Sequence, residues 1–407
     1  MKKFNFFSDK IDIALLICSI LAGVLGVLFI NSASLSLPSH IRYVTVQGIA
    51  LVLGIAAMSV TIFISYKHFE KLRFLIFALG VGLLLLVFVI GKLSHGMQGW
   101  IVLGPVTLQP AELAKVCFIL TLSYHITKKY DTLNLPKTLL GLLVHLACYA
   151  LPVLLQPDFG TAMVFMVIFA FELFFAGIYK RYILGFFILI AAASPIIWAL
   201  LKEYQKNRII TLFFPENDPS GSGYHVLQSK LAIGSGMLWG RGYLDGPQTQ
   251  YGHLPEKQTD FIYSVIGEEL GFVGAIFIAA LLLVIVYRCF ANARRCSHDP
   301  FGELTCIGVG SMMFFHVIEN IGMCLGLLPI TGIPLPFISY GGSNLVTCFI
   351  AIGLVQNIRM RRRATKFNLA SYEPPAFLEG DSSEEVLEAL SEEQNENITH
   401  EDEDGAV

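Results

Sequence analysis

The sequence predicts an all-α polytopic membrane protein with ten transmembrane helices, both termini cytoplasmic, and a large extracytoplasmic loop between helices 7 and 8. Three observations predict this. Of 407 residues, 55% are hydrophobic and only 14% are charged, a balance that a soluble domain of this length would not carry. Apolar runs near or above the ~18 residues that cross a bilayer recur along the chain. Lys and Arg crowd into alternate connections, as the positive-inside rule requires.

The N-terminus, MKKFNFFSDK, is basic. The apolar run after it is ~20 residues long, too long for a signal-peptide core, and predicts an uncleaved first span. The ten spans fall at approximately 11–30, 44–65, 74–91, 110–127, 138–155, 161–178, 182–201, 261–287, 304–328 and 343–358. With the N-terminus inside, the inside segments collect 19 of the 28 basic residues. The outside loops hold Arg42, Lys92, Lys202, Lys206, Arg208, Lys230, Arg241 and Lys257, and Lys115 lies within a span.

Residues 202–260 form the long outside loop. A loop of this length is functional or disordered; Tyr224, Leu227, Leu231, Ile233, Leu238, Trp239 and Tyr243 predict order and packing. The glycine-rich IGSGMLWGRG within it lacks the strand–loop–helix context of a phosphate-binding fingerprint and predicts turns instead. Residues 1–366 make up the membrane domain. In 367–407 the chain becomes acidic: residues 370–407 hold 13 of the 31 acidic side chains and no Lys or Arg. This composition predicts a disordered, solvated cytoplasmic tail, with a partner-binding tail as the alternative. The eight cysteines stand singly with no CxxC pair, so no zinc or disulfide pattern is present.

Charged groups at membrane depth cost roughly 2.5–3.5 kcal/mol even on the lenient insertion scale, so each needs a reason. In QPAELAK, Pro110 opens a helix, Glu112 lies near its positive end, and Lys115 is one turn on. They form either a local ion pair or a pair lining an outward-facing cavity. In QPDFGTA, Asp158 predicts a helix cap. In TDFIYSVIGEEL, Asp260 precedes the eighth span. On a continuous helix Glu268 falls roughly 80° from Asp260 and Glu269 roughly 180° from it, so Glu268 shares the Asp260 side. The plainer alternative is that Asp260 caps the helix and the glutamates solvate its outer turns. In HVIEN, His316, Glu319 and Asn320 share one face mid-span, and a polar seam between helices is favoured over a metal pair. In PLPFISYGGSN, which carries Ser339 and Tyr340, two prolines and two glycines predict a re-entrant segment, buried or lining a watery cavity.

Four of these five clusters fall on the outer side, which predicts an outward-open cavity lined by carboxylates and cations. Two function classes fit: an enzyme that acts on a membrane-bound substrate through a carboxylate base, and a transporter that uses intramembrane charges as a relay. The long one-sided loop favours the enzyme, and the inverted symmetry that would favour a transporter is not visible.

Five longer motifs carry a resemblance: GWIVLGPVTLQPAELAK, LQPDFGTAMVF, YQKNRI with PENDPSGSGYHVLQSKLAIGSG, GYLDGPQTQYGHLPEKQTDFIYSVIGEELGF, and NIGMCLGLLPITGIPLPFISYGGSN. The chain resembles the SEDS proteins (shape, elongation, division and sporulation), the RodA and FtsW group, over nearly the whole membrane region. QSKLAIGSG and GYLDGPQTQ look like the RodA, cell-elongation branch, with the FtsW, division branch as the alternative.

The resemblance implies a peptidoglycan glycosyltransferase of the bacterial cytoplasmic membrane that polymerises lipid II on the outer face. It also implies a class B penicillin-binding protein as partner, with other elongation-complex membrane proteins and no nucleic acid. It maps the essential aspartate to Asp260, the ELAK pair to Glu112 and Lys115, and a tryptophan to Trp100. Lys115, Arg208, Lys230 and Lys257 become candidates to bind pyrophosphate, and Asp158, Glu268, Ser339 and Tyr340 to line the cavity. A divalent cation, Mg2+ or Mn2+, is the alternative neutraliser, with no ligands assignable. A flippase for the same lipid is the rival function. Three positions depart from the usual family pattern: Ala111, Gln258 and Asn344.

Overall fold

The computed structural model describes residues 10–361 apart from 95, 96, 104, 105, 219, 220 and most of 183–202. The predicted seventh span and the acidic tail therefore lie outside the described residues. Among the described residues, seven helices are long and apolar enough to cross a membrane. They are α1 (Ile13–Ser34), α2 (His40–Phe63), α4 (Arg73–Ile90), α6 (Pro136–Leu155), α11 (Ile262–Arg294), α12 (Pro300–Cys324) and α13 (Gly342–Arg361). The chain is thus a helical, multi-pass membrane protein. Two further predicted spans are helices of other character: α5 (Pro110–Lys128) and the shorter α7 (Phe159–Phe175). Between α2 and α4 lies α3 (Tyr66–Lys71).

Burial separates two groups. Helices α12 and α13 are 78% buried over their apolar windows, whereas α4 is 17% buried. The first two form the centre of the bundle and α4 faces lipid. This explains why α12 and α13 carry more polar residues and a weaker hydropathy signal than α4, as a span inside the bundle does not need to be apolar all round.

Residues 92–108 form a small antiparallel sheet that the sequence does not announce: β1 (Lys92–Ser94), β2 (Met97–Leu103) and β3 (Val106–Leu108). Its last strand leads directly into Gln109 and α5. The long loop is built from α8 (Glu203–Phe213), α9 (Ser222–Ser235) and the short α10 (Pro247–Gln250). The expectation of order holds for these elements. The expectation of packing holds only in part, because Leu231, Leu238, Trp239 and Tyr243 are exposed.

Helix α11 is not continuous. Gly271 adopts φ 66°, ψ −164° and divides it into a short N-terminal and a longer C-terminal section. A Cβ at Gly271 would stand 2.3 Å from the Gly240 nitrogen, so only glycine admits the chain that crosses there. The break frees backbone groups, and the loop satisfies them. Phe272 and Val273 donate to the carbonyls of Met237 (2.8 Å) and Leu238 (3.2 Å), while Arg241 and Gly242 donate to those of Glu268 (2.9 Å) and Glu269 (3.0 Å).

Residues 325–341 have no regular structure. Ile333, Leu335, Phe337 and Ile338 are nonetheless fully enclosed, so this is a re-entrant segment buried in protein, as irregular backbone at this depth must be. At the opposite end of the bundle, Asp12 caps α1 by accepting from Leu15 N. Its buried carboxylate also accepts from Arg288 (2.8 Å) and Asn292 (2.7 Å) and lies 3.4 Å from Arg359. Gln356 exchanges two 2.8 Å bonds with the Asp12 backbone. Three helices from the two ends of the chain are tied at one carboxylate.

Candidate active site

A cavity of about 750 Å³ opens where the sheet, the N-terminal ends of α5 and α7, the C-terminal half of α12 and the re-entrant segment converge. Its start is local. Gln109 is extended, Pro110 occupies the first helical position, and Glu112 sits in the first turn of α5, where the helix dipole favours an anion. Lys115 Nζ lies 2.9 Å from Glu112 Oε1 and 3.0 Å from His316 Nε2. His316 Nδ1 is 2.8 Å from the Met312 carbonyl. That contact makes Nδ1 the protonated nitrogen and leaves Nε2 to accept from the lysine. Asn344 Nδ2 donates to the second Glu112 oxygen at 2.9 Å.

The pair is 1% and 3% exposed. Burying two charges costs several kcal/mol per ion unless geometry and further hydrogen bonds compensate, and His316 and Asn344 supply those bonds. The ammonium carries three N–H groups and these partners take two. Lys115 and Glu112 also line the cavity, so the ion-pair and cavity readings both describe them.

Asp158 caps α7 by accepting from Thr161 N at 2.9 Å, and its other oxygen lies 3.5 Å from Gln109 Nε2. It lines the same cavity. Burial pushes its carboxyl above the ordinary carboxylate range, with the Thr161 bonds opposing this.

Asp260 stands at the mouth, in a turn that precedes α11. Asn320 Nδ2 donates to its backbone carbonyl at 2.9 Å and to that of Ile333 at 2.9 Å. Its carboxyl faces Gly332, where a Cβ would come within 3.5 Å of Oδ2 and where φ is +78°. Glu319 accepts from the Thr331 hydroxyl at 2.7 Å. HVIEN is thus a polar seam that joins α12 to the re-entrant segment and to the Asp260 turn. Trp100 and Tyr340 also line the cavity.

Several expected cavity residues are elsewhere. Glu268 is fully buried away from Asp260, because α11 starts at Ile262 and the straight-helix geometry does not apply. Its carboxylate accepts from Gln248 N (2.7 Å), Thr249 N (2.9 Å) and the Thr249 hydroxyl (2.6 Å), bracing α10. Glu269 is buried rather than solvated and accepts from the Ser32 hydroxyl. Lys257 is buried and donates to the Ser36 hydroxyl at 2.6 Å and to the Thr249 carbonyl, so loop carbonyls and hydroxyls, not a ligand, account for it. Burial lowers its pKa. Ser339 is buried and accepts from Leu335 N at 2.8 Å, which closes a turn of the re-entrant segment. Lys230 is exposed on α9 and does not line the cavity. The Arg208 side chain lies outside the described residues.

Sequence reasoning missed Arg42, His225, Glu256 and Gln258, all on the cavity wall. The sequence places Arg42 in a short outside loop, where basic residues are scarce, and that scarcity is the available signal; in the structure it lies in the first turn of α2. Asn344, a departure from the usual pattern, proves to hold Glu112. Among the described residues no three His, Cys, Asp or Glu side chains are grouped to hold a metal ion.

The chain is similar to known proteins across most of its length. The FTSW_RODA_SPOVE family model, described as cell cycle protein, matches residues 12–364. Peptidoglycan glycosyltransferase MrdB of Escherichia coli K12 is 38% identical over 314 residues, covering 77% of this chain and 84% of that protein. A probable peptidoglycan glycosyltransferase FtsW of Geobacter metallireducens is 35% identical, covering 88% and 96%. A chain solved in a study of how a peptidoglycan synthase complex coordinates polymerization and crosslinking superposes with a TM-score of 0.74 at 28% identity, over 87% of this chain and 99% of that one.

Proposed function

The chain belongs to the FTSW_RODA_SPOVE family of cell cycle proteins, and on that premise we propose that it is a peptidoglycan glycosyltransferase with Asp260 as its general base. It polymerises lipid II, the undecaprenyl-pyrophosphate-linked disaccharide-pentapeptide, at the outer face of the bacterial cytoplasmic membrane. The observation that carries this is the outer cavity in which Asp260, Lys115 and Trp100 meet.

Asp260 accepts the proton of the acceptor sugar 4-hydroxyl as that oxygen attacks the donor's anomeric carbon. A β-1,4 bond forms, the bond to pyrophosphate breaks with inversion, and undecaprenyl pyrophosphate leaves. Its departure depends on neutralised charge more than on a strong acid. Lys115, aimed by Glu112 and His316, supplies a fixed cation, and Arg42 lies on the same wall. Among the described residues no three His, Cys, Asp or Glu side chains gather around one point, and Mg2+ is commonly held by one or two carboxylates together with substrate phosphates, so in this reading a divalent cation enters with the pyrophosphate.

The ten-span topology with both termini inside fits this reading and rests on the distribution of basic residues. A class B penicillin-binding protein as crosslinking partner is supported by the likeness to a synthase complex that couples polymerization to crosslinking. The elongation branch is supported by QSKLAIGSG and GYLDGPQTQ.

The test is to supply labelled lipid II to the purified chain together with its penicillin-binding partner. Polymer forms with the native chain and not with Asp260→Ala of equal yield. Translocation of the lipid in vesicles without polymer would overturn the proposal in favour of a flippase.

A further inference from the structure

The loop segment 237–244, MLWGRGYL, is built unlike a solvated tip. Met237 is 77% exposed, Leu238 60% and Trp239 80%, although the segment is tightly fixed. Its height is set at two points. Phe272 and Val273, the first residues of the membrane-crossing section of α11, donate to the carbonyls of Met237 and Leu238. On the other side the Tyr243 hydroxyl donates to the Leu28 carbonyl at 2.9 Å and accepts from Asn31 Nδ2 at 3.1 Å. Leu28 stands six residues before the outer end of α1 at Ser34, about 9 Å down the helix at 1.5 Å per residue.

The segment therefore lies level with the outer ends of two apolar spans rather than above them. It is also continuous with the exposed strip of Phe272, Val273, Ile276 and Phe277 on α11. Tryptophan, tyrosine and arginine among apolar residues form the composition of the interface, where amphipathic rings sit at headgroup level and arginine reaches outward. Glycine permits the close approach: a Cβ at Gly236 would stand 2.0 Å from the Gly267 carbonyl oxygen.

We propose that residues 237–244 form a wedge seated in the outer interface of the bilayer, with the lipid surface itself as its ligand. The wedge sets the height of the loop over the membrane. Helix α9 runs directly into it, brings His225 to the cavity wall, and is pinned through Ser229 to the Cys324 carbonyl at 2.6 Å. A bilayer-seated wedge thus holds one wall of the cavity at the depth where a lipid-linked sugar emerges.

The chain has three tryptophans, so the variant Trp100→Phe/Trp198→Phe isolates Trp239. In vesicles containing brominated phospholipid and this chain alone, its fluorescence is quenched by the lipid and loses most of its quenching by aqueous iodide. Should the double variant fail to fold, the native chain is irradiated in vesicles with a diazirine phospholipid and the labelled peptides are mapped. Adducts appear on 237–239 as well as on 272–277. Iodide-accessible Trp239 that bromolipid does not quench, or label on 272–277 alone, overturns the wedge. Protection that appears only when a penicillin-binding protein is added also overturns it, and assigns the surface to a protein partner.

Discussion

Asn320 donates one side-chain amide to two backbone carbonyls, those of Asp260 and Ile333, each at 2.9 Å. A single residue of α12 thereby sets the spacing between the proposed base and the re-entrant segment opposite it. Asn320→Ala strands the buried Ile333 carbonyl, at about 1–3 kcal/mol for an unsatisfied group, and leaves the part-buried Asp260 carbonyl with the weaker Cys324 thiol at 3.6 Å. Thermal unfolding in detergent should show this loss, and turnover of lipid II should fall even where protein yield is restored.

The Glu112–Lys115 pair permits a cleaner separation of structure from chemistry. Lys115→Met strands a buried carboxylate and should destabilise by roughly 3–5 kcal/mol. Adding Glu112→Gln removes the stranded charge and should recover most of that stability, because Gln retains the bond from Asn344. Polymerisation should stay absent in the double variant if Lys115 serves the pyrophosphate. Activity returning along with stability would reduce the pair to a structural role.

Asp158 predicts a pH dependence whose sign follows from burial. Its folded pKa is raised above the ordinary 3.8, so the folded chain holds a proton that the unfolded chain releases. Its contribution to stability is fully present below 3.8 and is lost as pH rises through the raised folded value. Asp158→Asn keeps a capping side chain. A midpoint series on the acid side of neutrality should show a falling limb in the native chain that is flattened in this variant.

Gly271 predicts a sharp intolerance. Its φ is 66°, and a Cβ there would stand 2.3 Å from the Gly240 nitrogen. Gly271→Ala therefore adds backbone strain of about 1–3 kcal/mol and a clash. Limited proteolysis should cut such a variant within 236–242, where the native chain is protected by its bonds to α11.

Much of this was open to sequence reasoning, for physical reasons that differ by residue. Spans declare themselves because a bilayer penalises every polar group along them. The Glu112–Lys115 pairing and the Asp158 cap are legible because both are local, three residues apart. Glu268 was not legible: its partners stand twenty and nineteen residues earlier, at Gln248 and Thr249. A helix-wheel argument for it fails because Asp260 lies outside the helix, in the turn before Ile262. Lys257 misleads in a related way, because a lysine beside a cavity and a lysine bolted to loop carbonyls have identical sequence surroundings. Arg42 and Asn344 became meaningful only when distant elements met.

The knot around Asp12 has a consequence for biosynthesis. Asp12 leaves the ribosome well before its partners Arg288 and Arg359, which follow 276 and 347 residues later. Until Arg288 is made, the Asp12 carboxylate has only the Leu15 amide of its own helix to bond, and its charge is unmatched. The cluster is complete only when α13 brings Gln356 and Arg359. A chain stopped before α13 should lack the Gln356 and Arg359 contacts of this cluster and be a readier target for membrane quality-control proteases, so that one aspartate helps to proofread synthesis.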